Sequence, residues 1–226
     1  MDNSGKAPYM IPEDANVVMH VNAIDLLGGT AKVGPVWTIN GTVPTVPAGA
    51  SAPYREGAGP YSGANNFSLG TTNVLQFTGA QVWSACLIYL KNDTSQDIPF
   101  CSCGFNTTGG WIMIDQTATT SAGVNFPANV YAETAVAPTA NTVLVLQIGW
   151  DGNHICCQLN NTAYQSQTSA NASAASQNAY IGTGITLAGG GNTYALNGVV
   201  YEAYATQTAP SSALFTSIYN QIIAVM

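Results

Sequence analysis

The clearest pattern in the chain is a series of apolar, β-rich segments separated by turn residues. Residues 142–150 (TVLVLQIGW) are apolar, and residues 153–160 (NHICCQLN) alternate between apolar and polar positions. Asp151-Gly152, between them, is a strong signal for a two-residue hairpin. A further long strand is predicted at 196–206, entered through Gly198. This half of the sequence therefore predicts antiparallel strands joined by tight turns.

The upstream half continues the same pattern. Residues 17–22 (VVMHVN), 82–91 and 109–115 (GGWIMID) are predicted strands, and shorter β segments stand at 67–70 and 75–77. Residues 41–63 are rich in Pro, Gly and Ala and predict a long loop.

The period changes at the C-terminus. Leu214, Phe215, Ile218 and Ile222 fall at helical spacing after Pro210, and Ser211 or Ser212 can serve as the N-cap. The spacing predicts one short amphipathic helix at 211–225. We expect it to cover an end or an edge of the β-structure.

These pieces, in this order, resemble the laminin-G/concanavalin-A-like jelly-roll domain of the kind found in bacteriophage virion proteins. The segment 36–41 (VWTING) is similar to an opening segment of the phage versions, and 197–202 (NGVVYE) to a closing strand. The resemblance implies an all-β fold, an antiparallel β-sandwich with a short C-terminal helix, over residues 17–226. Residues 1–16 lack periodicity and are predicted to be an N-terminal arm outside the core.

Charged residues are scarce. Lys6, Lys32, Arg55 and Lys91 are all the cationic side chains, and the formal net charge is −7. Nucleic acid is therefore nearly excluded as a partner, because phosphate binding needs clustered Lys and Arg. The chain has no Asp, Glu, Lys or Arg between Asp151 and Glu202. Such a surface fits a subunit packed in an assembly, and equally a compositional bias of the source.

No apolar run reaches the roughly 18 residues of a spanning helix, and the N-terminus lacks the apolar core of a signal peptide. We therefore expect a soluble protein made in a cytosol. The five cysteines agree with that compartment and are predicted to be free thiols: Cys86, Cys101, Cys103, Cys156 and Cys157. Cys156 and Cys157 are expected on opposite faces of one strand.

The acidic residues do not form a catalytic pair. Retaining glycosidases need two carboxylates about 5 Å apart, whereas the acids here are spread one per element: Asp93/Asp97, Asp115, Glu133, Asp151 and Glu202. Polysaccharide lyases of related architecture use an Arg/His/Tyr set, and this chain has one arginine. The sequence predicts that the protein is not an enzyme.

Four residues of the sequence form a candidate zinc site. His154 and Cys156 share a face of one strand, as do Cys101 and Cys103, so together they form a candidate Cys3His zinc site. Small buried thiols and a hairpin histidine explain the same residues better, because zinc sites usually draw on C-x2-C knuckles. His20 is expected to be a satisfied core or edge histidine.

No cofactor is predicted. Calcium, which relatives of the resembled family hold with loop carboxylates, is left open at Asp93, Asp97 or Asp115.

Aromatic residues offer a platform for a sugar. Trp83, Trp111 and Trp150 lie in apolar strands and are predicted to be core, while Trp37 belongs to the 36–41 segment. Tyr54 and Tyr61, in the long loop, are the freer candidates for contact with a ligand or a neighbour.

The resemblance and the missing catalytic sets favour a non-enzymatic bacteriophage virion structural protein, in particular a head decoration or cement subunit. Its expected partners are capsid or other virion proteins and further copies of itself, with residues 1–16 and 41–63 as contact candidates. The alternative is a carbohydrate-binding host adhesin on a tail or head fibre, which would bind a cell-surface glycan. A glycan-active enzyme is the third hypothesis.

Overall fold

The computed structural model describes residues 9–47, 56–62, 64–72, 81–89, 96–102, 110–115, 122–126, 130–134, 136, 139, 141–168, 177–183 and 194–226. In some strands the description covers the backbone alone, and the side chains of these residues are left aside: 70–72, 81–89, 96–99, 101–102, 110–115, 122–126, 130–131, 133 and 177–178.

The described residues form two antiparallel sheets and two helices. In chain order the elements are β1 (Val17–Asn22), α1 (Ala23–Leu27), β2 (Thr38–Asn40), β3 (Thr45–Val46), β4 (Gly57–Ala58), β5 (Asn66–Thr72), β6 (Gln81–Tyr89), β7 (Gln96–Ser102), β8 (Gly110–Asp115), β9 (Ala122–Phe126), β10 (Val130–Glu133), β11 (Val143–Trp150), β12 (His154–Leu159), β13 (Gln165–Thr168), β14 (Gln177–Ile181), β15 (Gly198–Thr206) and α2 (Ser212–Ile223).

The first sheet has the strand order β13-β12-β11-β6-β15-β4-β3, with β1 also paired to β15. The second sheet has the order β10-β9-β8-β7-β14-β5-β2. Strands that are neighbours in a sheet are often distant in sequence: β6 lies between β11 and β15, and β14 lies between β7 and β5. Each sheet is therefore complete only when segments from both halves of the chain have come together.

The main core lies between the two sheets. Alternate residues of β11 and β12 point into it, among them Leu146, Ile148 and Cys157, and the second sheet contributes Phe67 and Phe100. All five are at most 1% exposed. This arrangement confirms the predicted antiparallel β-sandwich, because a sheet with a period-two apolar pattern must bury that face against a second layer.

A second apolar cluster lies on the other side of the first sheet. Val145, Cys156 and Val199 contact Phe215 and Ile218 of α2 there. The helix begins as predicted, because the Ser211 side chain accepts a hydrogen bond from the backbone N–H of Leu214 at 3.1 Å. Its predicted location was wrong, since α2 lies across the middle strands of a sheet face and not at an end or edge of the sandwich.

The N-terminal segment also differs from its prediction. Residues 1–8 lie outside the described residues, but Met10 and Ile11 are 4% and 1% exposed and belong to the cluster under α2. From residue 9 the chain is thus part of the fold and not an arm outside the core. We call residues 9–16 the N-terminal strap.

Most predicted strands are present within a residue or two of the expected bounds. The hairpin between β11 and β12 turns one residue later than predicted, at Gly152-Asn153, because Asp151 and His154 form the closing pair. The 41–63 segment, where it is described, contains the short paired strands β3 and β4. Neither helix in the described part of the chain has the length and apolar composition needed to cross a bilayer.

Candidate functional site

The outer face of the second sheet is open to solvent where β2, β5 and β14 meet. Ala179 and Ile181 are buried in the inter-sheet core, so Tyr180 between them faces outward and is half-buried. Phe67 is buried in the same core, which places its neighbour Ser68 on the outside. We call this surface, defined by Thr38, Ser68 and Tyr180, the open face.

Strand register aligns these three residues in one row. Thr38 pairs with Ser68, and Ser68 pairs with Tyr180. The row continues along the backbone from Tyr180 to Cys101 on β7 and then to Trp111 on β8. Tyr180 and Trp111 are two strand spacings, roughly 10 Å, apart. Below the row, Asn40 donates a hydrogen bond from Nδ2 to Oδ1 of Asn66 at 2.9 Å.

The chain segments that supply the three strands of the open face contain no charged residue. The segments 33–54, 57–90 and 152–201 contain no Asp, Glu, Lys or Arg, and they supply β2, β5 and β14 respectively. The groups offered here are hydroxyls, amides and a phenol ring. Such groups recognise ligands by hydrogen bonds and ring contacts.

The outer face of the first sheet, which we call the covered face, contains a buried ionic cluster. Glu202 is 1% exposed, and its carboxylate accepts hydrogen bonds from the backbone N–H groups of Met10 and Ile11 at 2.7 and 2.9 Å. Nε2 of His20 lies 2.7 Å from the same carboxylate. Glu202 therefore fastens the strap to the sheet.

The cluster continues to the surface through Glu13. Oε1 of Glu13 lies 3.0 Å from Nδ1 of His20 and 3.0 Å from Nζ of Lys32. Partial burial alone would raise the pKa of the Glu13 carboxyl, but the hydrogen bonds from Lys32 and His20 outweigh it and lower the pKa. Both ring nitrogens of His20 therefore face a carboxylate oxygen, Nδ1 that of Glu13 and Nε2 that of Glu202.

Two aromatic rings and a third carboxyl group, that of Asp25, border the cluster. The Tyr9 and Tyr204 rings stand edge-on to the imidazole of His20, and the Tyr9 hydroxyl donates to Asp25. His20 is 0% exposed, so this acid–base set cannot reach a substrate. The prediction that His20 is a satisfied core histidine is confirmed.

A small cleft lies between the strap and α2. Its volume is about 220 Å³, and its polar lining comes from Glu13, Asp14, Tyr204, Ser217 and Gln221. The Asp14 carboxylate already accepts hydrogen bonds from Thr206 and Thr208. The cleft is smaller than the roughly 300–1,000 Å³ of ordinary ligand pockets.

The structure does not bring the predicted zinc ligands together. Cys156 faces the cluster under α2, whereas β7, which carries Cys101, belongs to the opposite sheet. Burial raises the pKa of the Cys156 thiol, which disfavours the thiolate that zinc requires. His154 is partly exposed and pairs with Asp151 through Nδ1 and Oδ2 at 3.0 Å. Cys103 lies outside the described residues.

Cys156 and Cys157 are both buried thiols outside any disulfide, and they face opposite sides of β12, as predicted. The side chain of Cys86, on β6, is not described. Within the described residues, no group of three or more His, Cys, Asp or Glu side chains is arranged so that it could hold a metal ion.

The calcium candidates remain predictions. The backbone register brings Asp97 and Asp115 to the same end of β7 and β8, where Asp115 pairs with Gln96. Their side chains and the whole of Asp93 lie outside the described residues. The side chain of Glu133, on β10, also lies outside them.

Of the aromatic predictions, the one for Trp150 is confirmed and the one for Tyr61 is wrong. Trp150 is buried at 6% exposure, as expected, and Trp37 is buried at 1%. Tyr61 was predicted to be free for contact, but it is 7% exposed, and burial raises the pKa of its phenol. Its ring packs edge-on against Phe67, and a Cβ at Gly182 would lie 2.1 Å from it.

Tyr54 lies outside the described residues, as do the side chains of Trp83 and Trp111. Sequence reasoning missed Tyr180. The available signal was its place between Ala179 and Ile181, where period-two alternation sends one large polar aromatic to the outer face.

No protein-family model matches this sequence, and no curated protein matches it either. Solved structures do match. Domain 4 of AbnA, an extracellular arabinanase of Geobacillus stearothermophilus in complex with arabinotriose, has a TM-score of 0.67 at 14% identity, covering 92% of this chain and 100% of that domain.

Sialidase structures match as well. Trypanosoma rangeli sialidase has a TM-score of 0.62 at 8% identity over 97% of this chain, which spans about a third (34%) of the sialidase. The carbohydrate-binding module CBM40 of the Ruminococcus gnavus IT-sialidase, bound to α2,3-sialyllactose, has a TM-score of 0.51 at 10% identity, covering 62% and 83% of the two chains. These likenesses establish a concanavalin-like jelly-roll fold. Nothing in them ties the chain to phage virion proteins.

Proposed function

We propose that this chain is a non-catalytic carbohydrate-binding domain that holds its glycan on the open face. The observation that carries the proposal is the row of Thr38, Ser68 and Tyr180, in which a half-buried phenol ring stands at the end of two neighbouring hydroxyl side chains. Sugars present C–H faces and hydroxyl edges, which such a row can contact by stacking and hydrogen bonding.

The structural neighbours support this choice among the hypotheses drawn from the sequence. Two of them were solved with bound sugars: arabinotriose, which is uncharged, and sialyllactose, which carries a carboxylate. Because identity is at most 14%, their sites do not transfer residue by residue. They favour the glycan-binding alternative over a virion coat subunit, which stays a prediction.

The acidic residues with described side chains support a role without catalysis. Glu202 is held by three donors beneath the strap, and Asp151 accepts hydrogen bonds from the backbone N–H groups of Asn153 and His154 at its own turn. Partial burial would raise the pKa of the Asp151 carboxyl, but these hydrogen bonds lower it. Neither group is placed as a general acid, because Glu202 is buried away from any substrate and the pKa of Asp151 is lowered where a general acid needs it raised.

The test is binding of the purified protein to a panel of plant, bacterial and animal glycans, followed by calorimetry on the best ligand. Replacing Tyr180 with Ala should weaken binding at least tenfold, about 1.4 kcal/mol, because the ring contact is lost. Tyr180→Phe keeps the ring and should retain most of the affinity. The bound glycan should release no reducing sugar.

A matched control is Tyr219→Ala on α2, a partly buried tyrosine on the opposite side of the sandwich. It should leave glycan affinity unchanged. If no glycan binds, or if Tyr180→Ala binds as tightly as the original chain, the open face is not a glycan site and the virion hypothesis regains priority.

A further inference from the structure

We infer that the glycan bound on the open face is neutral, and that sialylated or uronic-acid glycans are rejected. This inference rests on the proposed function and specifies the chemical class of its ligand. Its basis is the charge inventory of the molecule, which the resemblance of folds does not determine.

A cation at a binding site favours an anionic sugar over its neutral counterpart. Carboxylates are bound most effectively by Arg, through two parallel hydrogen bonds, or by Lys as a point charge. The three strands of the open face come from sequence segments that contain neither residue, namely 33–54, 57–90 and 152–201. Between them these segments provide hydroxyls, amides and aromatic rings.

Lys32, the cationic side chain that the structure describes, makes its contacts at the covered face. Its Nζ lies 3.0 Å from Oε1 of Glu13 and 4.6 Å from the centroid of the Tyr9 ring, at the covered face. The other cations of the chain are Lys6, Arg55 and Lys91, against eleven Asp and Glu.

The long-range field acts in the same direction. A net charge of −7 repels an approaching anion at low ionic strength, and four cations in 226 residues leave little to offset it. A neutral sugar experiences neither this repulsion nor the cost of removing a carboxylate from water without a partner.

The experiment uses pairs of related glycans in which one member carries carboxylates and the other is neutral. The probes are lactose with α2,3-sialyllactose, and carboxyl-reduced polygalacturonan with untreated polygalacturonan, together with neutral arabinan and galactan. Binding to the full chain is measured at 20 mM and 500 mM NaCl. Tyr180→Ala is run beside it, to show that any binding occurs at the open face.

We expect at least one neutral probe to bind through Tyr180 and its affinity to change less than twofold between the two salt concentrations, because no charge pair is screened. In any pair that binds, the neutral member should bind at least tenfold more tightly. Tyr180-dependent binding of an anionic member, equal to or tighter than its neutral match, overturns the inference while the proposed function stands.

An affinity that falls steeply with salt also overturns the inference. Loss of that binding in Arg55→Ala or Lys91→Ala would then identify the cation. Absence of all glycan binding defeats the proposed function, and the inference with it.

Discussion

The two outer faces of the sandwich are built from the same kind of antiparallel strand, yet they have opposite relations to solvent. On the covered face, Val199, Tyr201 and Tyr204 are buried beneath α2 and the strap. On the open face, Thr38 is exposed and Ser68 and Tyr180 are half-buried. The two described surfaces therefore differ in cover: α2 and the strap lie over the first, whereas the row on the second keeps at least partial access to solvent.

The chemistry of the two faces follows that division. On the covered face, the buried carboxylate of Glu202 is tolerated because it has hydrogen-bond partners out of water. These partners are His20 and the backbone N–H groups of the strap. The open face consists of the neutral side chains of Thr38, Ser68 and Tyr180, which water reaches at least in part. A change on the covered face should therefore alter stability first, whereas a change on the open face should alter binding first.

The largest effect is expected for Phe215→Ala on α2. The Phe215 side chain is 0% exposed, and its ring lies 5.4 Å from that of Tyr164 on the covered face. Removing a buried ring of this kind costs about 3–5 kcal/mol of the free energy of unfolding, from lost transfer energy and the cavity left behind. Urea denaturation measures the loss.

The control on the same helix is Asn220→Ala, an exposed position that should change the free energy of unfolding by no more than about 0.5 kcal/mol. If both variants unfold alike, α2 does not hold the covered face closed.

The next effect concerns the attachment of the strap. Glu202→Ala leaves the N–H groups of Met10 and Ile11 without their acceptor and His20 without its buried carboxylate partner. Removing one partner of such a buried set costs about 3 kcal/mol or more. Glu13→Gln, at the rim with 30% of its side chain exposed, should cost less than about 1 kcal/mol.

Hydrogen exchange separates attachment of the strap from general destabilisation. In Glu202→Ala the amides of Met10 and Ile11 should lose protection well before those of the β11 core residues. Equal loss of protection throughout would mean that the strap is not a separate unit held by Glu202.

Local sequence signals predicted much of this fold. The apolar run of β11, the Gly152 turn and the capped spacing of Leu214, Phe215 and Ile218 each depend on residues close in the chain, and each is present in the structure. Period-two alternation also predicted that Cys156 and Cys157 face opposite sides.

The features that separate the two faces could not be predicted in this way. The register irregularity of β15 between Val200 and Glu202 keeps Tyr201 and Glu202 both on the outer side, whereas strict alternation from Val200 would send Glu202 into the inter-sheet core. His20 and Glu202 are 182 residues apart, so their contact has no local signal. The sequence of the strap has no helical or strand periodicity. The strap is held by the backbone N–H groups and apolar side chains of Met10 and Ile11, and such contacts leave no repeating pattern.

The smallest effect on stability is expected for a substitution on the open face. Thr38→Ala removes an exposed hydroxyl at the edge strand β2, and it should change the free energy of unfolding by no more than about 0.5 kcal/mol because the residue is exposed. Glycan affinity should fall roughly three- to tenfold, the range expected when one hydrogen bond to a ligand is lost. Calorimetry and urea denaturation on the same preparation give both numbers. Loss of stability comparable to that of Glu202→Ala, with affinity intact, would mean that Thr38 supports the fold and that the row on the open face ends at Ser68.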